Sequence, residues 1–203
     1  MFSFKNFFKK SEALAMHKFL IVGLGNIGSE YEDTRHNIGF KILDVLAAKH
    51  QCLWEVKKLA SYSSLKIKGR HFVLIKPSTF MNKSGKAVRH WALKENIPLE
   101  NILILADELH LPFGTLRLRA KGSPAGHNGL KDVEAALNTP HYARLRFGIG
   151  PKNKPFDQVR FVLDPWTSSE ATQLPERLDR CAEAIESFGL QGLQKTMNLF
   201  NGS

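Results

Sequence analysis

The stretch FLIVGLGNIG, residues 19–28, decides the class of fold. Its first four residues form a short apolar run that is ended by glycines, which predicts a buried strand leading into a tight loop. Residues 39–49 follow with apolar side chains at the spacing of an amphipathic helix. A buried strand followed by such a helix is typical of an α/β protein.

Strands and helices continue to alternate along the chain. Alternating apolar and polar residues predict a hairpin over 63–77, with Gly69 and Arg70 at its turn. We predict further strands over 101–106, 114–119 and 144–149, and helices over 86–93, 130–137 and 168–188. Together these elements predict an α/β fold with a mixed central sheet that helices cover on both faces. Since the sequence has no repeat and no linker, we expect one domain over 16–203.

The composition is that of an ordinary globular domain. Of the 203 residues, 43% are hydrophobic and 24% are charged. No stretch approaches the about 18 uninterrupted apolar residues that a membrane-spanning helix needs. The two cysteines, Cys52 and Cys181, lie far apart and outside any CxxC pattern, so neither a disulfide framework nor a cysteine-based zinc site is predicted. We therefore expect a cytoplasmic protein.

The charge of the chain is segregated along the sequence. The formal net charge is +10, from 29 Lys and Arg against 19 Asp and Glu. Residues 56–94 carry ten basic and no acidic side chains, and residues 114–154 carry eight basic and two acidic ones. Residues 155–203 carry four basic and seven acidic ones. This segregation favours a basic face that meets a polyanion, with nucleic acid ahead of an anionic membrane.

Residues 1–15, MFSFKNFFKKSEALA, are expected to form a leader or extension outside the folded domain. They lack the apolar core of a secretory signal. Met16 stands just before the first predicted strand, which favours a misassigned start or a frayed extension. A functional basic arm remains the alternative.

The glycines of residues 23–28 form a G-x-G-x-x-G pattern, with Asp44 at the distance expected of a ribose-binding acid. In a dinucleotide site these glycines open a helix at once, whereas here they lead into a polar loop. Asp44 falls inside a predicted helix. The sequence therefore disfavours a nucleotide cofactor, and no cofactor is expected.

Polar side chains in glycine-marked loops and at strand ends predict hydrolytic chemistry. His36 and Asp107, at the end of a predicted strand, would form a base and its orienting carboxylate if their loops converge. Asparagines in the same clusters would offer amide donors to a developing oxyanion. The sequence has no GxSxG elbow and no metal-binding histidine pair. Attack by an activated water on a labile ester is therefore the reaction type that remains. His110 and His127 are expected to be structural or surface residues.

At these residues the sequence resembles the bacterial peptidyl-tRNA hydrolase family. The resemblance is carried by LIVGLGNIGSEYEDTRHNIGF at 20–40, KPSTFMNKSGKAV at 76–88, LADELHLPFG at 105–114, GHNGLKD at 126–132 and RLRFGIG at 144–150. It implies a fold of the phosphorylase/hydrolase type and hydrolysis of the ester between a peptide and the 3′ end of tRNA. It further implies a monomer that acts in the cytoplasm on tRNA, without a metal.

The resemblance also implies roles for individual residues. His36 would be the general base, Asp107 its orienting partner, and Asn26 a residue near the scissile bond. Positions that contact the substrate or tRNA in this family are occupied by Tyr31, Phe80, Asn82, Asn128, Arg119 and Arg146. The two arginines would clamp the 5′-phosphate of tRNA, a task that suits a planar guanidinium.

Two departures from the family pattern concern the cleft. His110 replaces the second acid of the usual DELDLP motif, and the loop before GHNG reads Lys121-Gly122-Ser123-Pro124-Ala125, stiffer than the usual glycine-rich run. We expect this loop to gate the cleft. An RNA-binding module without catalytic activity is the competing function, disfavoured because a pure binder has no need of the His36 and Asp107 pair.

Overall fold

The computed structural model describes residues 17–150 and 157–203. The predicted leader over 1–15 lies outside these residues. A seven-stranded mixed sheet runs through the described chain in the order β2-β3-β4-β1-β5-β7-β6. Its strands are β1 (Lys18–Gly23), β2 (Glu55–Lys57), β3 (Ala60–Ile67), β4 (Arg70–Pro77), β5 (Ile102–Pro112), β6 (Leu116–Arg119) and β7 (Ala143–Gly150). The four central strands, β4, β1, β5 and β7, are parallel, while β2, β3 and β6 join at the edges as antiparallel strands.

Helices cover both faces of this sheet, as predicted. They are α1 (Ile38–Lys49), α2 (Gly85–Lys94), α3 (Asn128–Leu137), α4 (Gln158–Leu163), α5 (Ser168–Gln191) and α6 (Leu193–Phe200). In β1, Phe19 and Ile21 point into a core that includes side chains of α1, α5 and α6. Leu20 and Val22 point into a second core with α2 and α3. A strand that is buried on both faces reads as a continuous apolar run, which is why residues 19–22 have no alternation.

The predicted hairpin is confirmed as β3 and β4, and the predicted helices are confirmed with small changes at their ends. The strand predicted over 101–106 is longer, because β5 continues pairing with β7 to Pro112, with an irregularity after Glu108. Asp107 therefore lies inside a strand and not at its end. Three short elements, β2, α4 and α6, were not predicted, since three to eight residues carry little periodic signal.

The glycines after β1 serve packing and turn geometry. A Cβ on Gly23 would lie 2.3 Å from the Gly39 carbonyl oxygen, and one on Gly39 would lie 2.5 Å from the Leu24 backbone, so the start of α1 rests directly on the end of β1. Gly28 has a φ of 112°, which favours glycine. Asp44 lies inside α1 and pairs with Lys76 at 2.6 Å. The structure thus supports the rejection of a dinucleotide site.

Candidate active site

A cleft of about 290 Å³ opens at the carboxyl end of the parallel strands. This edge is where α/β sheets commonly bind ligands, since loops from several strands converge there. Five of the predicted site residues line it: Asn26, His36, Asn82, Asp107 and Asn128. The start of α3 and one side of the short helix α4 complete the walls.

Residues 35–37 form one turn of 3₁₀ helix just before α1, here called the 35–37 turn. A 3₁₀ helix has three residues per turn, so its successive side chains point in three directions. Arg35 contacts α4 and α5, His36 contacts Asp107 on β5, and Asn37 contacts the loop after β1. This single turn therefore connects three walls of the cleft.

The center of the cleft is a carboxylate shared by two histidines. Asp107 Oδ1 lies 2.8 Å from His36 Nδ1 and 3.0 Å from His127 Nε2. His127 is also the N-cap of α3, because its Nδ1 accepts the Leu130 backbone N–H at 3.2 Å. A neutral imidazole that accepts at Nδ1 carries its proton on Nε2, so His127 donates to Asp107. His36 likewise donates from Nδ1, which leaves its Nε2 as an acceptor for the cleft.

Burial and charge act in opposite directions on these groups. Burial lowers the pKa of His36, but the charge of Asp107 and the hydrogen bond to it more than compensate, so this pKa lies above the ordinary histidine value. Burial raises the pKa of Asp107, yet the two histidines hold it well below its usual range. Asp107 is therefore an acceptor at neutral pH, as an orienting carboxylate has to be.

A metal ion could in principle be held by three side chains of the cleft. The potential ligand atoms of His36, Asp107 and His127 lie within 4.8 Å of one another. A metal on Nε2 of His127 would require the ring proton on Nδ1. That proton would meet the Leu130 N–H, which Nδ1 already accepts. The donor set therefore favours shared protons over a metal ion.

Asn26 is oriented by bonds to both neighboring loops. Its backbone N–H donates to Asn37 Oδ1 at 2.8 Å, and Asn37 Nδ2 donates back to the Asn26 carbonyl at 2.9 Å. Its side-chain Oδ1 accepts the Met81 backbone N–H at 2.8 Å. Since the oxygen of this amide is occupied, Nδ2 is the group that Asn26 presents as a donor.

Two predicted substrate contacts lie outside the cleft lining. Tyr31 is half-buried at the end of a short 3₁₀ turn, where its carbonyl accepts from Thr34. Phe80 is half exposed, one residue before Met81. Asn82 and Asn128 are exposed to the cleft.

The predicted arginine pair does not form two exposed guanidinium groups. Arg119 is exposed on the edge strand β6. Arg146 on β7 is buried, and its guanidinium donates to Glu108 and to the Ser123 carbonyl. Fully buried Arg144 donates to the Gly122 carbonyl at 2.7 Å. Two buried arginines thus hold the loop that we expected to gate the cleft.

His127 was expected to be a structural or surface residue; it is the N-cap of α3, and it also makes a contact with Asp107 that the sequence did not indicate. Its place before a helix and between glycine-marked turns was visible in the sequence. Its second contact depends on β5 and α3 meeting in space, which no local pattern reports. His110 is exposed and pairs with Glu108 at 2.8 Å.

A mixed sheet with a histidine and a buried carboxylate at the carboxyl end of its parallel strands defines an α/β enzyme of the hydrolase type. The family model described as Peptidyl-tRNA hydrolase matches residues 20–203. The peptidyl-tRNA hydrolase of Bacteroides fragilis is 54% identical over 184 residues, which cover 91% of this chain and 98% of that protein. That of Cytophaga hutchinsonii is 48% identical with the same coverage.

Solved structures agree with the sequence comparison. The crystal structure of peptidyl-tRNA hydrolase from Acinetobacter baumannii matches with a TM-score of 0.83 at 34% identity, over 92% of this chain and 95% of that one. The chain belongs to the bacterial peptidyl-tRNA hydrolase family, and its activity is hydrolysis of peptidyl-tRNA. Its substrate is therefore a tRNA that carries a peptide.

Proposed function

We propose that His36 is the general base that activates water in this hydrolysis. The observation that carries the proposal is the 2.8 Å contact between His36 Nδ1 and Asp107 Oδ1, which keeps the proton on Nδ1 and the lone pair on Nε2. His127 completes the arrangement by donating to the same carboxylate oxygen. The acidic partner thus stabilises the imidazolium that forms when His36 takes a proton.

The reaction then proceeds in two proton transfers. Nε2 of His36 takes a proton from water while the water oxygen bonds to the ester carbonyl carbon, and the carbonyl oxygen becomes an oxyanion. The bond from that carbon to the ribose oxygen of the tRNA 3′ end breaks, and His36 returns its proton to the leaving oxygen. The products are a tRNA with a free hydroxyl and a peptide carboxylic acid, which loses its remaining proton to solvent at neutral pH.

The asparagines of the cleft supply neutral hydrogen bonds to the substrate. Nδ2 of Asn26 faces the reacting groups as a donor, because Met81 occupies its Oδ1. Asn82 and Asn128 bind and order the ends of the ester and the peptide, with Tyr31 and Phe80 further out. An amide donor of this kind stabilises a developing oxyanion without adding charge.

Arg119 and Arg146 are proposed to contact the phosphate at the tRNA 5′ end. Arg119 is exposed, and its guanidinium donates only to the neighbouring Leu118 carbonyl, at 3.1 Å, so it can turn to a phosphate. Arg146 has to release Glu108 and the Ser123 carbonyl first, so its contribution depends on movement of its own side chain and of the loop over residues 121–127. We further propose that the protein acts as a monomer in the cytoplasm and that residues 16–203 are one catalytic domain. Sedimentation at several protein concentrations tests the monomer.

The decisive experiment is single-turnover hydrolysis of an N-acetylated aminoacyl-tRNA, beside the free aminoacyl-tRNA. His36→Ala is expected to lower the rate by at least about 100-fold. The matched control is His50→Ala, since His50 also bonds a carboxylate, Glu186 at 3.0 Å. Near-full activity of His36→Ala would refute the assigned base. Salt-sensitive tRNA binding without cleavage by the wild type would favour the RNA-binding module instead.

A further inference from the structure

Arg35, the residue before the proposed base, is buried, and both of its terminal nitrogens donate hydrogen bonds. Nη1 donates to the carbonyls of Phe161 and Asp164, each at 3.2 Å, and Nη2 donates to Glu170 Oε2 at 2.8 Å. The guanidinium carbon lies 4.3 Å from the center of the Phe161 ring. The Arg35 backbone N–H also donates to the Asp164 carbonyl at 3.2 Å.

These partners belong to the helix that walls the cleft. Val159, Val162 and Leu163 of α4 line the same cleft as His36. The carbonyls that Arg35 binds lie at the last turn of α4 and just after it. One side of α4 thus faces the cleft. Its C-terminal end is hydrogen-bonded to Arg35, the residue before His36.

A guanidinium is well suited to bind the C-terminal end of α4. The last carbonyls of a helix have no partner within the helix, and a cation satisfies both them and the negative end of the helix dipole. Glu170 also accepts the Thr167 backbone N–H, so Arg35 reaches the capping box that starts α5. A helix of six residues has few bonds of its own, so its position depends on such contacts.

We propose that Arg35 is a positioning residue that sets the distance between His36 and the α4 wall, and thereby the binding of the peptide part of peptidyl-tRNA. The inference deepens the proposed mechanism and rests on the cleft being the site of hydrolysis. Arg35 itself touches no reacting atom. Its effect is on how closely the wall encloses the peptide next to the ester.

The test is Arg35→Lys, with Arg180→Lys as the matched control. Lysine keeps the charge opposite Glu170 but has no fork that reaches two carbonyls. Arg180 makes contacts of the same kinds outside the cleft, with Glu183 at 2.9 Å, the Leu199 carbonyl at 3.1 Å and the Phe200 ring at 4.1 Å. Each variant is assayed for KM and kcat with N-acetylated aminoacyl-tRNA, for Kd with deacylated tRNA, and for thermal unfolding.

We expect Arg35→Lys to raise KM about tenfold with a smaller fall in kcat, because a displaced wall loses contacts with the bound peptide. The Kd for deacylated tRNA stays unchanged, since that ligand has no peptide. If Arg35→Lys does not fold, Glu170→Gln serves as the second variant, with a smaller rise in KM. An unchanged KM in the folded variant, or an equal rise in Arg180→Lys, overturns the proposal. The activity of His36→Ala is measured separately. The hypothesis that His36 is the base and the hypothesis that Arg35 positions α4 can therefore fail independently.

Discussion

His36 owes its basicity to a carboxylate that it shares with a second histidine. Burial alone would lower the pKa of His36, and the charge of Asp107 reverses that effect. Because the neutral ring is the proposed base, kcat/KM of the wild type should rise with pH through an apparent pKa above the ordinary histidine value. In Asp107→Asn the charge is gone and the burial remains, so this rising limb should move to lower pH and reach a lower plateau.

The measurement is kcat/KM for N-acetylated aminoacyl-tRNA from about pH 5 to 9, which spans the range of histidine titration. His50→Ala should leave the profile unchanged, since its carboxylate partner lies outside the cleft. If the rising limb of the pH profile of Asp107→Asn stays in place or moves to higher pH, the Asp107 charge does not raise the pKa of His36.

His127 makes two hydrogen bonds whose roles can be separated, one at the start of α3 and one to Asp107. Its Nδ1 caps α3 and its Nε2 donates to Asp107. Asparagine is a good N-cap but is too short to reach Asp107, whereas alanine provides neither bond. We therefore expect both His127→Asn and His127→Ala to lose activity, about tenfold or more.

The two variants should differ in stability. His127→Ala should unfold more easily by about 1 kcal/mol, the usual cost of a lost N-cap. Urea unfolding of both variants beside the wild type checks this difference. Equal activity of wild type and His127→Asn would show that the bond to Asp107 contributes nothing to the rate.

At the scale of elements, the contact between α1 and β1 decides where the 35–37 turn lies. Gly39 has no room for a side chain, because a Cβ would lie 2.5 Å from the Leu24 backbone. Gly39→Ala should push α1 away from β1 and destabilise the fold by about 2 to 3 kcal/mol, as overpacking does. Since His36 lies three residues away, activity per folded molecule should fall as well.

The matched control is Gly122→Ala, where a Cβ would meet nothing within 4 Å. Both variants are compared by urea unfolding, and kcat/KM of Gly39→Ala is compared with that of the wild type. A Gly39→Ala protein with wild-type stability would mean that the helix and strand adapt without cost, and that their close contact does not hold the turn.

In the molecule as a whole, the helix with the largest acidic excess and the helix with the largest basic excess lie on opposite faces of the sheet. Helix α5 carries five acidic and two basic residues, while α2 carries three basic residues and no acidic one. These helices pack on different faces. None of the helices in the described residues is long and apolar enough to cross a membrane. The charge of the described helices is therefore presented unevenly to the polyanionic substrate.

Affinity for tRNA should fall steeply as salt rises, because each phosphate contact releases counterions. Arg119→Gln should weaken binding and reduce the slope of log Kd against log salt by about 1. Arg180→Gln removes the same charge from α5 and should leave the slope unchanged. Titrations at several salt concentrations measure both. A flat dependence in the wild type, or equal slopes in the two variants, would contradict the basic face.

The class of fold, the glycine loop, the polar clusters and the family could be read from the sequence, because each is expressed in local periodicity or in a contiguous motif. Which residues of those clusters meet depends on how the chain packs in three dimensions. His36 and Asp107 lie 71 residues apart, and Arg35 and Glu170 lie 135 apart. The length of β5, the second role of His127 and the burial of Arg146 likewise depend on sheet register and on loops that meet at one edge. Such contacts are set by the packing of distant segments, so no local pattern can report them.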